Sequence, residues 1–326
     1  MPAARVLFVK LSSLGDVVHH CPAVSDLIAH RPDVEVAWAV EEAFAELVRL
    51  HPGVSEVIPV GLRSLRRNPF DPAHWTRLGA ARGVIRRGRW DYVIDSQGLL
   101  KSALVARAAR GVAFGMDRAS ARERIAARFY DVKLPVPRNR HAVERNRELV
   151  AQVFGYRIDA PADYGLVAPP APPPWAPSGP YVVLLHAASR APKRWPGERW
   201  IALARMLAES GYAPVFPGGT EAERAAAGSL SKAVPGSMAA PAMGLAEAAA
   251  LLGSAAMVAG VDTGLTHLAV ALGRPTVGIY CATRPELTGL HGAESMNLGG
   301  PGAVPSVYAV AEALGYETPN ASDAAP

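Results

Sequence analysis

The fold is decided by one stretch near the C-terminal end of the chain, Val258-Ala259-Gly260-Val261-Asp262-Thr263-Gly264-Leu265-Thr266-His267. The apolar run over residues 255–261 predicts a buried parallel strand. Asp262 and Thr263 are residue types that cap helices, and Gly264 lets the backbone approach a ligand closely. Apolar residues then recur at helical spacing, at positions 265, 268, 269 and 272. The stretch therefore predicts a strand, a tight turn and a helix whose open N-terminus attracts phosphate.

The sequence around this turn disfavours the commoner nucleotide and metal sites. No Lys follows the turn as in a P-loop, and the chain has no G-x-G-x-x-G fingerprint. It also lacks H-E-x-x-H, a pair of closely spaced cysteines, Asp-x-Asp and the G-x-S-x-G nucleophile elbow. The sequence therefore predicts a metal-free site for a diphosphate leaving group, rather than a site for ATP or NAD.

Composition limits the class of protein. The 326 residues suit two domains, and a chain that is 50% apolar and 19% charged is not disordered. The net charge of +5 favours acidic small molecules, anionic lipid or nucleic acid as partners. Two distant cysteines and a start without signal-peptide layout predict a reduced, cytoplasmic protein. No apolar run approaches the roughly 20 residues of a membrane span, so any membrane contact is expected to be peripheral.

Strand and helix patterns alternate along both halves of the chain, which predicts an α/β fold with parallel sheets covered on both faces. Eight prolines fall in residues 161–180, and this segment is predicted to be a linker. We therefore expect two doubly wound, Rossmann-like domains, residues 1–160 and 181–303, followed by a helix and tail over residues 304–326. Such domains bind ligands at the carboxyl ends of their strands, here expected to face one cleft.

Asp16 is the candidate catalytic residue of the first half. It ends the loop Ser12-Ser13-Leu14-Gly15-Asp16, which follows the strand predicted at residues 5–10. One interpretation makes Asp16 the N-cap of the next helix, and the other makes it a general base on the cleft wall. The two roles are compatible only in part, because a carboxylate bonded to backbone N–H groups is a weaker base.

Three residues of the second half have two interpretations each. Lys193 lies in a proline-stiffened loop after the strand at residues 181–185. In one interpretation it neutralises the charge of a departing diphosphate, and in the other it is a solvated surface lysine. Glu221 binds a ribose diol or is an acidic residue in the first turn of a helix. His267 bonds a phosphate or sugar oxygen or packs in the interior.

One segment carries charge of a single sign. Between Gly61 and Trp90 there are eight arginines against one acid, Asp71. A solvated helix face normally mixes signs, so the bias favours an anionic partner. Nucleic acid is the weaker candidate, because no nucleic-acid motif accompanies the arginines. An anionic lipid headgroup or an acidic sugar fits better, with three aromatic residues available at an interface, Phe70, Trp75 and Trp90.

Six stretches, in order along nearly the whole chain, carry a resemblance to a known family. They are residues 9–19 (VKLSSLGDVVH), 40–44 (VEEAF), 93–103 (VIDSQGLLKSA), 120–123 (SARE), 141–149 (HAVERNREL) and 260–267 (GVDTGLTH). In these the chain resembles the lipopolysaccharide heptosyltransferases of glycosyltransferase family nine. The resemblance implies a GT-B fold and an inverting transfer that needs neither a metal nor another cofactor. The donor would be ADP-heptose, and L-glycero-D-manno-heptose would pass to the first Kdo of Kdo-lipid A, in synthesis of the lipopolysaccharide inner core.

The resemblance also implies roles for individual residues. Asp16 would take the proton of the Kdo hydroxyl, and Lys193 would face the donor diphosphate. Further donor-binding candidates are Ser189, Glu221, Met243, Asp262, Thr263, Gly264 and His267. Acceptor-binding candidates are Ser12, Ser13, Gly15, Arg63, Arg66, Gln97, Arg122, Arg145 and Arg147. The implied location is the cytoplasmic face of the inner membrane, with peripheral attachment and no nucleic-acid partner.

Several alternatives stay open at this point. A member of the same family with a different acceptor, such as a second heptosyltransferase, would consume a different lipid intermediate. An epimerase or hydrolase of a nucleotide sugar would act without any acceptor. A non-catalytic nucleotide-sugar-binding protein would bind ADP and never turn over.

Overall fold

The computed structural model describes residues 3–316, apart from the side chains of Arg66 and Arg67. The chain divides into two units, Met1–Val167 and Ala168–Pro326. The tail expected after the last helix lies outside the described residues from position 317 onward. Among the described residues, every helix is too short or too polar to span a bilayer.

The N-terminal unit is built on a six-stranded sheet in which every pairing is parallel. Its strands are β1 Ala4–Val9, β2 Val34–Glu41, β3 Glu56–Val60, β4 Arg89–Asp95, β5 Arg110–Met116 and β6 Val132–Leu134. They lie in the order β3-β2-β1-β4-β5-β6. The central strand β1 is buried on both faces, which explains why its sequence is a continuous apolar run rather than an alternating one.

Seven α-helices accompany this sheet within the described residues. They are α1 Leu14–Val18, α2 Cys21–His30, α3 Ala45–Val48, α4 Leu62–Arg67, α5 Pro72–Arg87, α6 Leu100–Ala108 and α7 Ala142–Phe154. Pro22 lies in the first turn of α2, where its missing N–H costs no helical hydrogen bond. It therefore restarts the helix after α1 instead of breaking it.

The C-terminal unit repeats the plan with a second parallel six-stranded sheet. Its strands are β7 Tyr181–Leu185, β8 Ala213–Phe216, β9 Met238–Ala239, β10 Met257–Val261, β11 Thr276–Tyr280 and β12 Ser295–Gly299, in the order β12-β11-β10-β7-β8-β9. Its helices are α8 Gly197–Glu209, α9 Glu221–Lys232, α10 Leu245–Gly253, α11 Gly264–Ala271, α12 Pro285–Thr288 and α13 Val307–Ala313.

The strand order of each sheet reverses direction at one place. In the N-terminal unit this place is between β1 and β4, and in the C-terminal unit it is between β7 and β10. Loops diverge at such a switch point and leave a crevice at the carboxyl ends of the strands, where open α/β sheets bind ligands. The prediction of an α/β fold with two doubly wound parallel sheets is therefore confirmed, and the topology indicates where to look for a site in each unit.

Candidate active site

Gln97 ties together the two loops at the switch point of the N-terminal unit. Its side-chain Oε1 accepts the backbone N–H of Leu11 at 2.7 Å, and its Nε2 donates to the carbonyl of Ser12 at 2.7 Å. One side chain after β4 thus fixes the loop after β1, and both Gln97 and Ser12 are buried. Gln97 has a positioning role here, because both ends of its amide are used by the protein.

Asp16 stands in that fixed loop as the third residue of α1, and the N-cap is Ser13. Its hydrogen-bond and ion-pair partners within the described residues all approach one carboxylate oxygen. Oδ2 accepts from the backbone N–H of Ser13 at 2.8 Å and from its hydroxyl at 3.1 Å, and it lies 3.6 Å from Nη1 of Arg122. Within the described residues, Oδ1 has no hydrogen-bond partner. Asp16 is therefore not the N-cap of α1 but the acidic N3 residue that bonds back to the N-cap Ser13 through one oxygen. Its other oxygen is available to a ligand, and its role as a general base stays a prediction.

Lys10 is a buried cation beneath this loop that the sequence analysis did not single out. Its side chain sits at the end of β1, and its Nζ donates to the carbonyl of Ser96 at 3.0 Å and to Oδ1 of Asn146 at 3.2 Å. Burial lowers the pKa of Lys10 to about 8, although the charges of Asp16 and Asp95 oppose that shift. The ammonium of Lys10 therefore adds positive charge beneath the loop that carries Asp16.

Further cations follow the same edge of the sheet. Lys101 donates from Nζ to Oγ of Ser12 at 2.8 Å, and Arg122 exposes 64% of its side chain beside Asp16. Arg145 donates from Nη2 to the carbonyl of Ser120 at 2.7 Å in the loop after β5. The arrangement concentrates positive charge around the one candidate base, which suits an anionic ligand.

Helix α4 carries two of the predicted arginines, and a buried carboxylate anchors its start. Oε2 of Glu41, at the end of β2, accepts the backbone N–H of Arg63 at 3.1 Å, while Glu41 is only 2% exposed. The Arg63 guanidinium lies 5.0 Å from the centre of the Phe44 ring. The side chain of Arg66 lies outside the described part of the chain, so only its backbone position in α4 is known.

Two assignments are corrected by the N-terminal unit. Arg147 is 3% exposed, because its guanidinium bonds both carboxylate oxygens of Asp26, at 2.7 and 3.2 Å, and the carbonyl of Ala160. It holds α7 to α2 and is not placed to bind an acceptor. Trp90 is 4% exposed and donates to the carbonyl of Ile85 at 2.9 Å, so it belongs to the core rather than to an interface.

The C-terminal unit joins two predicted residues across its own switch point. Nζ of Lys193, after β7, lies 2.6 Å from Oδ2 of Asp262, after β10. The same oxygen accepts the hydroxyl of Thr283, after β11, at 2.7 Å, and Nε2 of His267 lies 3.7 Å from Oδ1. Burial by itself raises the pKa of the Asp262 carboxyl, but bonds from His267, Lys193 and Thr283 outweigh it and hold that pKa far below its usual range. Asp262 is therefore a fixed anion that holds Lys193 in place.

The helix that follows Asp262 starts without a side-chain cap. Thr263 is the N-cap of α11 but makes no capping hydrogen bond, and its neighbour Thr266 instead donates to the carbonyl of Val261 at 2.7 Å. The first N–H groups of an uncapped helix point outward with the positive end of the dipole. Next to Lys193, this helix start is suited to bind an anion such as phosphate.

Helix α9 shows the opposite arrangement at its start. Oε2 of Glu223 accepts the N–H groups of Gly219 and Thr220, at 3.0 and 2.9 Å, and so occupies that helix start. Glu221, the predicted ribose ligand, is exposed in the first turn of α9. Ser189 is exposed in the loop after β7, and Met243 is partly exposed just before α10. Their assignment to donor binding stays a prediction.

Comparisons with known proteins point to one family. A family model described as glycosyltransferase family 9 (heptosyltransferase) matches residues 79–307. Lipopolysaccharide heptosyltransferase 1 of Pseudomonas aeruginosa is 40% identical over 300 residues, covering 90% of this chain and 83% of that protein. The corresponding protein of Escherichia coli K12 is 40% identical over 294 residues, with 90% and 92% covered.

Solved structures of heptosyltransferases are also similar to this chain. The E. coli heptosyltransferase WaaC with ADP-2-deoxy-2-fluoro heptose is similar with a TM-score of 0.84 and 37% identity, covering 94% of this chain and 98% of that one. The E. coli ADP-heptose heptosyltransferase II is similar with a TM-score of 0.76 at 19% identity, covering 96% of this chain and 97% of that one, a likeness that shows the fold alone.

Proposed function

This chain belongs to glycosyltransferase family 9, and we propose that it transfers L-glycero-D-manno-heptose from ADP-heptose to the first Kdo of Kdo-lipid A in lipopolysaccharide inner-core synthesis. The relatives that share 40% of their residues with it carry the name heptosyltransferase 1, and WaaC was solved with an ADP-heptose analogue. One observation in this chain supports the proposal best. Oδ2 of Asp16 is bonded to Ser13 and lies beside Arg122, while Oδ1 is available to a ligand.

The proposed reaction is a single displacement. Oδ1 of Asp16 takes the proton of the acceptor hydroxyl as its oxygen attacks the anomeric carbon of the heptose. The bond from that carbon to the diphosphate oxygen breaks, its electron pair leaves with ADP, and the anomeric configuration inverts. Lys10, buried beneath the loop, and Arg122, with Nη1 at 3.6 Å from Oδ2, keep positive charge beside Asp16 during this step.

The C-terminal unit receives the leaving group in this proposal. An ammonium has three donor hydrogens, and the bond of Lys193 to Asp262 uses one of them. The others, with the open N–H groups of α11, stabilise the charge that grows on the departing diphosphate. These groups would do the work that other transferases assign to a metal ion, so the rate should withstand treatment with EDTA.

The acceptor is assigned to the N-terminal unit. Kdo carries a carboxylate, and the cations near Asp16 on this edge of the sheet are Arg63, Lys101, Arg122 and Arg145, with Arg66 on the same helix as Arg63. Guanidinium groups bind carboxylates through paired hydrogen bonds. Because lipid A is held in a membrane, the enzyme would work as a peripheral protein on the cytoplasmic face of the inner membrane.

Release of ADP from ADP-heptose, with and without de-acylated Kdo-lipid A, tests the proposal. We expect release only when the acceptor is present. Release without acceptor would indicate a nucleotide-sugar hydrolase or epimerase, and donor binding without release would indicate a binding protein. Release with a heptosylated acceptor but not with Kdo-lipid A would assign the chain to another member of the family.

A further inference from the structure

Two large aromatic side chains stand out of the surface at the start of α5. Phe70 is 91% exposed and Trp75 is 56% exposed. The segment that presents them is fastened to the helix, because Nε1 of Trp75 donates to the carbonyl of Pro69 at 2.8 Å and Nδ1 of His74 lies 3.0 Å from the carbonyl of Asn68. Apolar rings held in contact with water are unfavourable in an isolated protein, so they indicate a surface that binds a partner.

The same helix extends the aromatic pair with positive charge. Arg82 and Arg86 follow Trp75 by seven and eleven positions, so at 100° per residue the three side chains form one stripe about 16 Å long. All three are exposed, whereas Ala81 and Ile85 on another face of α5 pack in the core of the unit. We call Phe70, Trp75, Arg82 and Arg86 the aromatic–arginine surface.

The charge on this surface is not neutralised by the protein. Within the described residues, neither Arg82 nor Arg86 forms a salt bridge, and the acid at the head of the helix, Asp71, is engaged by the N–H of Ala73 at 2.9 Å. Arg77, on a different face of α5, is the arginine of this helix that pairs with an acid, lying 3.5 Å from Glu42. Two unpaired guanidinium groups beside two exposed rings are complementary to a surface with both anionic groups and hydrocarbon.

We propose that the aromatic–arginine surface docks on an anionic phospholipid bilayer. Aromatic rings at the headgroup level bury apolar area, while arginines along the same stripe bind lipid phosphates. Duplex nucleic acid offers phosphates, but its base faces are stacked on one another, so it leaves Phe70 without an apolar partner. The inference deepens the proposed function, which places the acceptor in a membrane, but it can be tested without donor or acceptor.

The test is partition of the full chain onto vesicles of phosphatidylcholine, with or without phosphatidylglycerol. We expect binding only to the anionic vesicles, and a steep loss of it with salt. Arg82→Gln with Arg86→Gln should lower the partition coefficient about 30-fold, roughly fivefold for each arginine. Phe70→Ser with Trp75→Ser should lower it at least tenfold.

Two matched pairs of variants control for charge and exposed area. Arg107→Gln with Arg157→Gln removes the same charge from exposed positions outside the aromatic–arginine surface. Leu104→Ser with Tyr308→Ser removes apolar side chains from two other exposed residues, which are 52% and 67% exposed. We expect each control to change partition less than threefold. Equal losses from surface and control variants would overturn the proposal, because binding would then follow net charge or overall apolarity.

Tryptophan fluorescence distinguishes two possible partners of the aromatic–arginine surface, a bilayer and a second copy of the chain. Brominated lipids should quench part of the emission of the unmodified protein, and Trp75→Phe should abolish that part. A protein that self-associates without vesicles, and whose self-association is abolished by Phe70→Ser, would instead assign the surface to a protein contact and overturn the proposal. Failure of either experiment would leave ADP release with a soluble acceptor unaffected, so it would not count against the transferase.

Discussion

Asp16 is proposed to combine two functions, each through a different oxygen. Oδ2 accepts both donors of Ser13, and Oδ1 is the oxygen proposed to take the acceptor proton. An amide at this position keeps an oxygen to accept the N–H of Ser13 but cannot take a proton at neutral pH. Asp16→Asn should therefore lower kcat by about 10²–10⁴-fold and change the free energy of unfolding by less than about 1 kcal/mol. Steady-state rates with the soluble acceptor measure the first effect, and urea unfolding measures the second.

Asp71→Asn is the matched control for Asp16→Asn, because Asp71 also accepts an N–H at the start of a helix. It should show the same small change in stability and an unaltered kcat with the soluble acceptor. Equal ADP affinity in both variants would show that Asp16 does not contribute to binding of the donor. A turnover of Asp16→Asn within a few-fold of the unmodified protein would remove Asp16 from the mechanism.

Lys10 makes the stability of the N-terminal unit depend on pH in a predictable direction. Its pKa is about 8 in the folded protein, against 10.5 as the ordinary value. Between these two values the unfolded chain binds a proton that the folded chain has released, so the free energy of unfolding rises with pH. Relative to Lys10→Met, the unmodified protein should gain about 3 kcal/mol between pH 7 and 10.5, at about 1.4 kcal/mol per pKa unit.

Denaturant unfolding at a series of pH values measures this difference, and comparison with the variant removes the contribution of tyrosines and cysteines that titrate in the same range. The exposed Lys133 offers the control, since Lys133→Met removes a lysine without removing a buried ammonium. Parallel stability curves for the unmodified protein and Lys10→Met would contradict the buried, proton-releasing lysine.

The sequence predicts which residues lie at the carboxyl ends of the strands, while their roles stay predictions. Asp16, Lys193 and Asp262 each follow an apolar strand, and the carboxyl ends of parallel strands meet at one edge. It fails where the partner is distant in sequence. Arg147 meets Asp26 only because α7 packs on α2, and Thr283 meets Asp262 only because β11 pairs with β10. A lysine that ends an apolar strand, as Lys10 does, is the sequence signal that identifies this buried cation.

At the scale of elements, the turn from β10 to α11 depends on a glycine. A Cβ at Gly260 would meet Oγ1 of Thr266 and come within 2.9 Å of Cβ of Leu185. Thr266 in turn holds the carbonyl of Val261, so displacing it disturbs the helix start that is proposed to bind the diphosphate. Gly260→Ala should weaken ADP binding at least tenfold and lower the free energy of unfolding by about 1–3 kcal/mol.

Gly228 in α9 provides the matched substitution, because a Cβ there meets no atom within 4 Å. Gly228→Ala should leave ADP affinity unchanged and stabilise the helix by about 0.5–1 kcal/mol. Calorimetric titration with ADP and thermal unfolding measure the two effects. If both variants bind ADP as the unmodified protein does, the packing of Thr266 does not shape the donor site.

Elements with long or strongly apolar patterns are those that the sequence predicts correctly. The strand expected over residues 181–185 has those bounds in the structure, and the strands expected over residues 5–10 and 255–261 are Ala4–Val9 and Met257–Val261. The edge strands β6, β9 and β12 were not predicted. They are two to five residues long and mostly exposed or half-buried, so they lack the apolar run that marks a central strand.

At the scale of the whole molecule, each unit has a core of its own. One buried apolar cluster draws its members from residues 7–109 and another from residues 182–311. Chains with separate cores commonly unfold in more than one step. We therefore predict two transitions in scanning calorimetry, with Lys10→Met moving the transition of the N-terminal unit and Gly260→Ala moving that of the C-terminal unit.

ADP should then act on one transition only, because the proposed donor residues all belong to the C-terminal unit. A ligand at 100 times its Kd stabilises the unit that binds it by about 2.7 kcal/mol, which raises the Tm of a unit of this size by about 5–10 °C. AMP, which lacks the second phosphate, is the control and should shift that transition less, since Lys193 and α11 are assigned to the diphosphate. A shift of both transitions by ADP, or equal shifts by ADP and AMP, would contradict the assignment of the diphosphate to this unit and to these groups.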